Sequence, residues 1–147
     1  MDFFNEYNLL YKSLKKRAEN ADGVISKTIE NYRKKSEWIG RPLSDCDLLE
    51  IGVGQTRLGL AFFSSEARSA VGIDLDVIAT RYNLIEFIKM ARYNGITRTT
   101  RTFGRHILGL NDDLYREFCR QMGLGVFPKL TVFQGDICAG VKFKDAS

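Results

Sequence analysis

The chain has 147 residues, of which 44% are hydrophobic and 12% aromatic, and its net charge is +4. These values are typical of one globular domain and exclude a disordered chain. The sequence has neither a run of about 18 apolar residues nor a charged-then-apolar leader, so no membrane span and no secretory signal are predicted. A cytoplasmic location is therefore expected.

Two helices are predicted at the N-terminus. Residues 2–20 place apolar and aromatic side chains at helical spacing, with basic residues between them. The Asp-Gly pair at 22–23 is expected to break this pattern, which restarts at Val24 and continues toward Trp38. The Gly-Arg-Pro segment at 40–42 then ends the second helix.

Two strands follow, and each leads into a chemically distinctive residue. The apolar run 48–51 enters a turn at Gly52 and Gly54, and the run 70–73 ends on Asp74. Apolar runs of this length, bounded by turn residues, are typical of strands that are buried on both faces. A helical pattern connects the two strands.

The remainder of the chain alternates helices with less regular segments. A helix is predicted from about residue 77 to 93, followed by a Thr- and Arg-rich loop over 96–110 and a short helix over 111–123. The alternating run 130–134 predicts a third strand, which leads into a Gly-Asp pair at 135–136. The order of elements predicts an α/β fold with a parallel sheet, right-handed crossovers and strand order 3-2-1.

The cysteines and the charges carry less information. Cys46, Cys119 and Cys138 form no C-x-x-C pair, and His106 is the only histidine, so reduced structural thiols and no metal site are predicted. The positive charge is local, because residues 91–130 hold seven Arg or Lys against three acidic residues.

The glycine turn predicts a nucleotide site of some kind, because glycine lets a ligand lie against the main chain. A dinucleotide fingerprint requires a further glycine at position 57 and prefers an apolar residue at position 50. Arg57 and Glu50 occupy these positions and disfavour a nicotinamide cofactor. Glu50 would repel a pyrophosphate and attract a cationic amino-acid cofactor, directly or through water.

Three segments resemble the successive cofactor-binding motifs of the class I, Rossmann-like, S-adenosylmethionine-dependent methyltransferases. They are Leu49-Glu50-Ile51-Gly52-Val53-Gly54-Gln55-Thr56, Val71-Gly72-Ile73-Asp74 and Phe133-Gln134-Gly135-Asp136. Thr56 stands where that family usually has another glycine. By this resemblance the glycine turn cradles the methionine part, Asp74 accepts from both ribose hydroxyls, and Asp136 accepts from the adenine amine. The cofactor-binding residues that it implies are Glu50, Gly52, Gly54, Gln55, Asp74, Leu75, Asp136 and Ile137.

The resemblance also divides the chain into four parts within one domain. Residues 1–42 would be a helical cover or simple core-packing helices, 43–94 the glycine-turn and ribose-binding unit, and 128–147 the third strand with the adenine-side loop. Residues 95–127 resemble an insertion over the substrate opening. Its basic residues, with Arg98 among them, form either a solvated loop face or a site for an anionic acceptor at Arg101, Arg105 and His106. Nucleic acid is a less favoured acceptor.

By this resemblance a fourth strand would follow Ser147, where the sequence stops. The first strand would then be an unpaired sheet edge. We expect either the N-terminal, cofactor-binding half of a longer methyltransferase or a truncated relative that self-associates through this strand. An inactive nucleotide-binding module and a nicotinamide-dependent oxidoreductase are the alternative functions, and no catalytic residue is assigned.

Overall fold

The computed structural model describes residues 8, 12, 15, 16, 19–78, 84–107, 109, 111–136 and 138. Most of the predicted first helix, residues 2–20, therefore lies outside the described residues, although the described positions 8, 12, 15, 16 and 19 are helical. Ile137 and the segment 139–147 also lie outside them.

The described residues form five α-helices and three strands. They are α1 (Ala21–Glu37), β1 (Asp47–Ile51), α2 (Leu58–Glu66), β2 (Ser69–Asp74), α3 (Leu84–Asn94), α4 (Ile96–Ile107), α5 (Asp112–Met122) and β3 (Val132–Gln134). A short 3₁₀ turn, Leu43–Asp45, precedes β1. The three predicted strands are confirmed.

The sheet is parallel, with β2 between β1 and β3. This confirms the predicted order 3-2-1, which is the same sheet counted from its other edge. Gly52 N–H donates to the Ile73 carbonyl at 2.8 Å, and Gly72 N–H donates to the Thr131 carbonyl at 2.9 Å. All three strands therefore end at the same edge of the sheet, where ligands bind in open α/β folds.

The core lies where α2 meets α1 and α5. Helix α2 packs on β1 and β2, and α1 packs on both α2 and α5. The core is made of buried aliphatic and aromatic side chains, namely Ile25, Ile29, Leu58, Ala61, Phe62, Leu114 and Phe118. The short helix predicted within 111–123 is confirmed as α5, and Gly123 ends it with a positive φ of 67°.

Residues 96–110 were predicted to be irregular, and this prediction is wrong, because 96–107 form α4. Threonine disfavours helices partly because its hydroxyl competes for backbone hydrogen bonds. Here the hydroxyls of Thr99, Thr100 and Thr102 donate to carbonyls four residues earlier in or just before the same helix. Helix α4 also packs along α3, and this tertiary contact outweighs the weak helical propensity.

Two predicted helix boundaries also differ from the structure. The pair at 22–23 does not break a helix, because α1 begins at Ala21 and includes both residues. In the first turn an aspartate is favourable, since it complements the helix dipole. The helix predicted from residue 77 begins later, because Val77 and Ile78 are not helical and the described helix begins at Leu84.

Candidate functional site

The glycine turn follows β1 directly. Gly52 and Gly54 have φ angles of +76° and +66°, a region that side chains with a β-carbon rarely adopt. A β-carbon built on either glycine meets no atom within 4 Å. Backbone conformation, and not lack of space, therefore accounts for glycine at these two positions, and both of them are exposed at the end of the sheet.

Asp74, the last residue of β2, is bonded to this turn. Its Oδ2 accepts the backbone N–H of Gly54 at 2.8 Å, and its Oδ1 accepts the N–H of Asp76 at 2.9 Å. Each carboxylate oxygen has a further lone pair. The carboxylate therefore shapes the turn and retains the capacity to accept one more hydrogen bond at each oxygen.

The other residues expected to bind the cofactor gather at the same edge. The N–H of Gly135 donates to the Asp74 carbonyl at 2.9 Å, which brings the exposed Asp136 to the neighbouring strand end. Leu75 is 68% exposed, and the Gln55 amide donates to the Val77 carbonyl at 3.2 Å. The structure thus brings together seven of the eight predicted residues, while Ile137 lies outside the described residues.

Glu50 projects into a cleft beside β1 with a volume of about 430 Å³. Aliphatic side chains make up about half of the lining, and the polar and aromatic groups come from Tyr32, Lys35, Glu50 and Phe63, with Gly52 also lining the cleft. The Oε2 atom of Glu50 is buried and has no hydrogen-bond partner among the described residues. An unpartnered buried carboxylate oxygen is costly, so it marks a position where a donor would bind favourably.

The electrostatics of the cleft depend on this carboxyl group. Burial raises the pKa of Glu50 to about 7, with a smaller raising effect from Asp74 and an opposing effect from Lys35. Burial also raises the pKa of Tyr32, and the neighbouring Glu50 raises it further. Near neutral pH, Glu50 is therefore poised to lose its proton when a cation enters the cleft.

Gly59 on α2 makes room for this arrangement. A β-carbon at position 59 would collide with Glu50 Oε1 and with the Tyr32 hydroxyl oxygen. Sequence reasoning did not identify Tyr32, Lys35 or Gly59 as site residues. Tyr32 fits the apolar stripe of its helix, and only the packing of α1 against α2 brings its hydroxyl near Glu50.

Arg57 precedes α2 and was also not predicted as a site residue. Its φ of +54° is left-handed, the conformation in which glycine is favoured, and its side chain is only 8% exposed. The guanidinium donates to the Tyr115 hydroxyl at 3.1 Å and lies 5.4 Å from the Tyr115 ring centre and 6.0 Å from that of Phe127. Arg57 therefore links the glycine-turn segment to α5 by stacking on aromatic rings.

The basic residues predicted to bind substrate lie on α4. Arg98 forms an ion pair with Asp76, next to the turn that Asp74 caps. Arg101 is exposed, whereas Arg105 and His106 are half-buried. The structure thus attaches α4 to the strand ends through Arg98, and a role for the other three in substrate binding stays a prediction.

The thiols and the possible metal ligands among the described residues give no further candidate site. Cys46, Cys119 and Cys138 are free thiols, and no group of three or more His, Cys, Asp or Glu in that part of the chain could hold a metal ion. None of the helices described above is long and apolar enough to cross a membrane.

Comparisons with protein-family models, with curated proteins and with solved structures give no match for this chain. A functional assignment therefore rests on the residues and geometry of the site itself.

Proposed function

We propose that the chain is the S-adenosylmethionine-binding portion of a methyltransferase with a Rossmann-like fold. The observation that carries this proposal is the buried Oε2 of Glu50, which has no hydrogen-bond partner among the described residues and lies in a cleft bordered by Gly52. A carboxylate in this position favours a cationic ligand and disfavours a pyrophosphate. S-adenosylmethionine has both an ammonium and a sulfonium group beside its nucleoside.

The β1 cleft suits the amino-acid end of this cofactor. Its ammonium would donate to Glu50 Oε2, and the exposed Lys35, whose charge already acts on Glu50, would meet its carboxylate. The two protein charges lie in one cleft and have the signs that an α-amino acid requires. Since Glu50 binds a cation only when ionised, affinity should rise as the pH increases through about 7.

The nucleoside would lie across the strand ends. The free lone pairs of Asp74 can accept the two ribose hydroxyls while the bonds to Gly54 and Asp76 persist. Asp136, on the adjacent strand end, would accept from the adenine amine. When bound, the cofactor supplies an activated methyl group, and the residues of this chain hold and orient it.

The methyl acceptor would approach from α4, whose arginines favour an anionic small molecule. No residue is assigned a catalytic role. A nucleotide-binding module without activity is the second candidate, supported by the same cleft and distinguished by the absence of methyl transfer. A nicotinamide-dependent oxidoreductase is disfavoured by the charge of Glu50.

Calorimetric titration with S-adenosylmethionine tests the proposal, with NAD as the comparison ligand. Asp136→Ala and Glu50→Gln should each weaken binding about tenfold, because each removes a charged acceptor. Asp113→Ala is the matched control, since Asp113 is an exposed carboxylate on α5. Equal binding by all four proteins, tighter binding of NAD, or no binding of S-adenosylmethionine would contradict the assignment.

A further inference from the structure

Helices α3 and α4 form a hairpin on which several large apolar side chains are exposed. Six large apolar side chains on it are between 44% and 76% exposed, namely Leu84, Ile85, Ile88, Ile96, Phe103 and Ile107. We call these six residues the hairpin apolar face. Single exposed apolar residues are common on proteins, but a group of this size marks an interaction surface.

Helical spacing places these residues on one side of the hairpin. The rings of Phe87 and Phe103 meet edge to face, with centroids 4.8 Å apart, and so define where the helices touch. On α3, Met90 is fully buried and marks the side of the helix that faces the protein. Helical spacing places Leu84 and Ile88 on the other side of Phe87, away from Met90.

Helix α4 also has one side that is buried and another that exposes apolar side chains. Thr102 is buried toward the protein, whereas Ile96 and Ile107 are in line with Phe103, seven residues before and four after it. Because only Gly95 separates the two helices and they pack side by side, the exposed stripes of both face away from the protein body. Together they form one continuous apolar surface.

Positive charge surrounds this surface. Lys89 and Arg92 are exposed on α3 beside Ile85 and Ile88, and Arg101 is exposed on α4. Residues 84–107 hold five Arg or Lys and one acidic residue, Glu86. The hairpin therefore combines an apolar face with a cationic rim.

We propose that the α3–α4 hairpin docks the protein on an anionic lipid surface. The hairpin apolar face enters the boundary between headgroups and acyl chains, while Lys89 and Arg92 contact lipid phosphates. Amphipathic helices with this division of side chains bind membranes in the plane of the interface. Attraction of the basic residues to anionic lipids adds to the burial of apolar area. This docking is independent of cofactor binding.

Two other occupants fit the surface less well. A nucleic acid would contact the cationic rim but would leave the leucine and isoleucine side chains against a charged backbone. A second copy of the chain, related by a two-fold axis, would place two cationic rims against each other, and like charges at an interface are unfavourable. An anionic bilayer satisfies both parts of the surface.

Cosedimentation of the full chain with vesicles tests the proposal, using phosphatidylcholine alone or mixed with phosphatidylglycerol. The wild type should bind the mixed vesicles and bind much less to phosphatidylcholine. Ile85→Ser with Ile88→Ser, and separately Lys89→Glu with Arg92→Glu, should each weaken this binding at least about tenfold. Circular dichroism of each variant establishes that it is folded.

Two control variants repeat the apolar and the charge substitutions at positions outside the hairpin. Val126→Ser removes an apolar side chain that is 79% exposed elsewhere, and Lys27→Glu with Arg33→Glu makes the same change in net charge on α1. Both should bind as the wild type does. The proposal is overturned if the wild type does not bind mixed vesicles or if the controls lose binding as the test variants do. It is also overturned if Ile85→Ser with Ile88→Ser instead dissociates a dimer, or if RNA binds the rim and vesicles do not.

Discussion

The backbone N–H of Gly54 donates to Asp74 Oδ2 at 2.8 Å, so the glycine turn after β1 is held by the last residue of β2. Because the other oxygen of the same carboxylate accepts from Asp76, one side chain organises two consecutive loops at the edge of the sheet. The shape of the turn therefore depends on a residue 20 positions away in sequence.

Asp74→Ala should lower the free energy of unfolding by about 1–3 kcal/mol, because two backbone N–H groups lose a charged acceptor. The free energy of unfolding of Asp74→Asn should lie between those of this variant and the wild type. Its amide has one acceptor oxygen, which can replace only one of the two carboxylate oxygens that accept from Gly54 and Asp76. Urea denaturation measures both values. Asp45→Ala, which removes an exposed carboxylate from the 3₁₀ turn, is the control and should change stability little. An Asp74→Ala variant as stable as the control would show that the two bonds are not important for folding.

Gly59→Ala should destabilise the protein, although alanine is the better helix former by about 1 kcal/mol. The added methyl group would collide with Glu50 Oε1 and the Tyr32 hydroxyl, and overpacking of this kind costs about 1–3 kcal/mol. Thermal unfolding shows directly whether the substitution lowers or raises the stability of the protein. Gly125→Ala is the control, because a β-carbon there meets nothing within 4 Å. Increased stability of Gly59→Ala would mean that Glu50 and Tyr32 move aside at little cost, and that the close approach at position 59 does not constrain them.

Glu50→Gln should make the protein more stable near pH 8 and remove part of its pH dependence. The folded-state pKa of Glu50, about 7, is above its ordinary value of 4.5, so the folded state binds the proton more tightly. Stability is therefore highest below pH 4.5 for this group and falls as the pH rises toward 7. The loss should be about 1–2 kcal/mol, since partial exposure screens the effect. Denaturation of both proteins at about pH 5 and pH 8 measures it, and parallel pH profiles would contradict the raised pKa.

Arg57→Gly should be more stable than Arg57→Ala by about 1 kcal/mol, the reverse of the usual order for these two residues. Both variants lose the stacking on Tyr115 and Phe127, but only glycine relieves the left-handed backbone at φ +54°. Urea denaturation of the pair gives the difference, in which the loss of stacking cancels. If Arg57→Ala is the more stable of the two, position 57 does not have this conformation.

The three strands could be predicted from sequence because each is an apolar run that ends at glycine or aspartate. Their signals are local, and the parallel order follows from the helices between them. Helix α4 could not be predicted in the same way, because its four threonines and Gly104 have weak helical propensity. Its formation depends on packing against α3, a tertiary contact that the local sequence does not signal.

The residues of the candidate site likewise fall into two groups, those with a signal in the local sequence and those that depend on tertiary packing. Gly52, Gly54 and Asp74 were predicted because each lies at the end of an apolar run, where glycine and aspartate indicate a turn. The proximity of Glu50 and Tyr32 was not predicted, since it depends on how α1 lies against α2. The conformation of Arg57 was also not predicted, because its left-handed φ is stabilised by aromatic rings from distant segments. Sequence reasoning therefore located the turn and Glu50, but not the other residues that form the cleft around Glu50.

The most direct test of the central claim is an NMR titration that follows backbone amide resonances while S-adenosylmethionine is added. The proposal predicts that the resonances of Gly52 and Gly54 shift and saturate together, and that those of Gly123 and Gly125, at the end of α5 and beyond it, stay in place. The same titration of Asp74→Asn should require a higher ligand concentration to saturate. Unchanged Gly52 and Gly54 resonances at ligand excess, or equal shifts at all four glycines, would contradict a cofactor site at this turn.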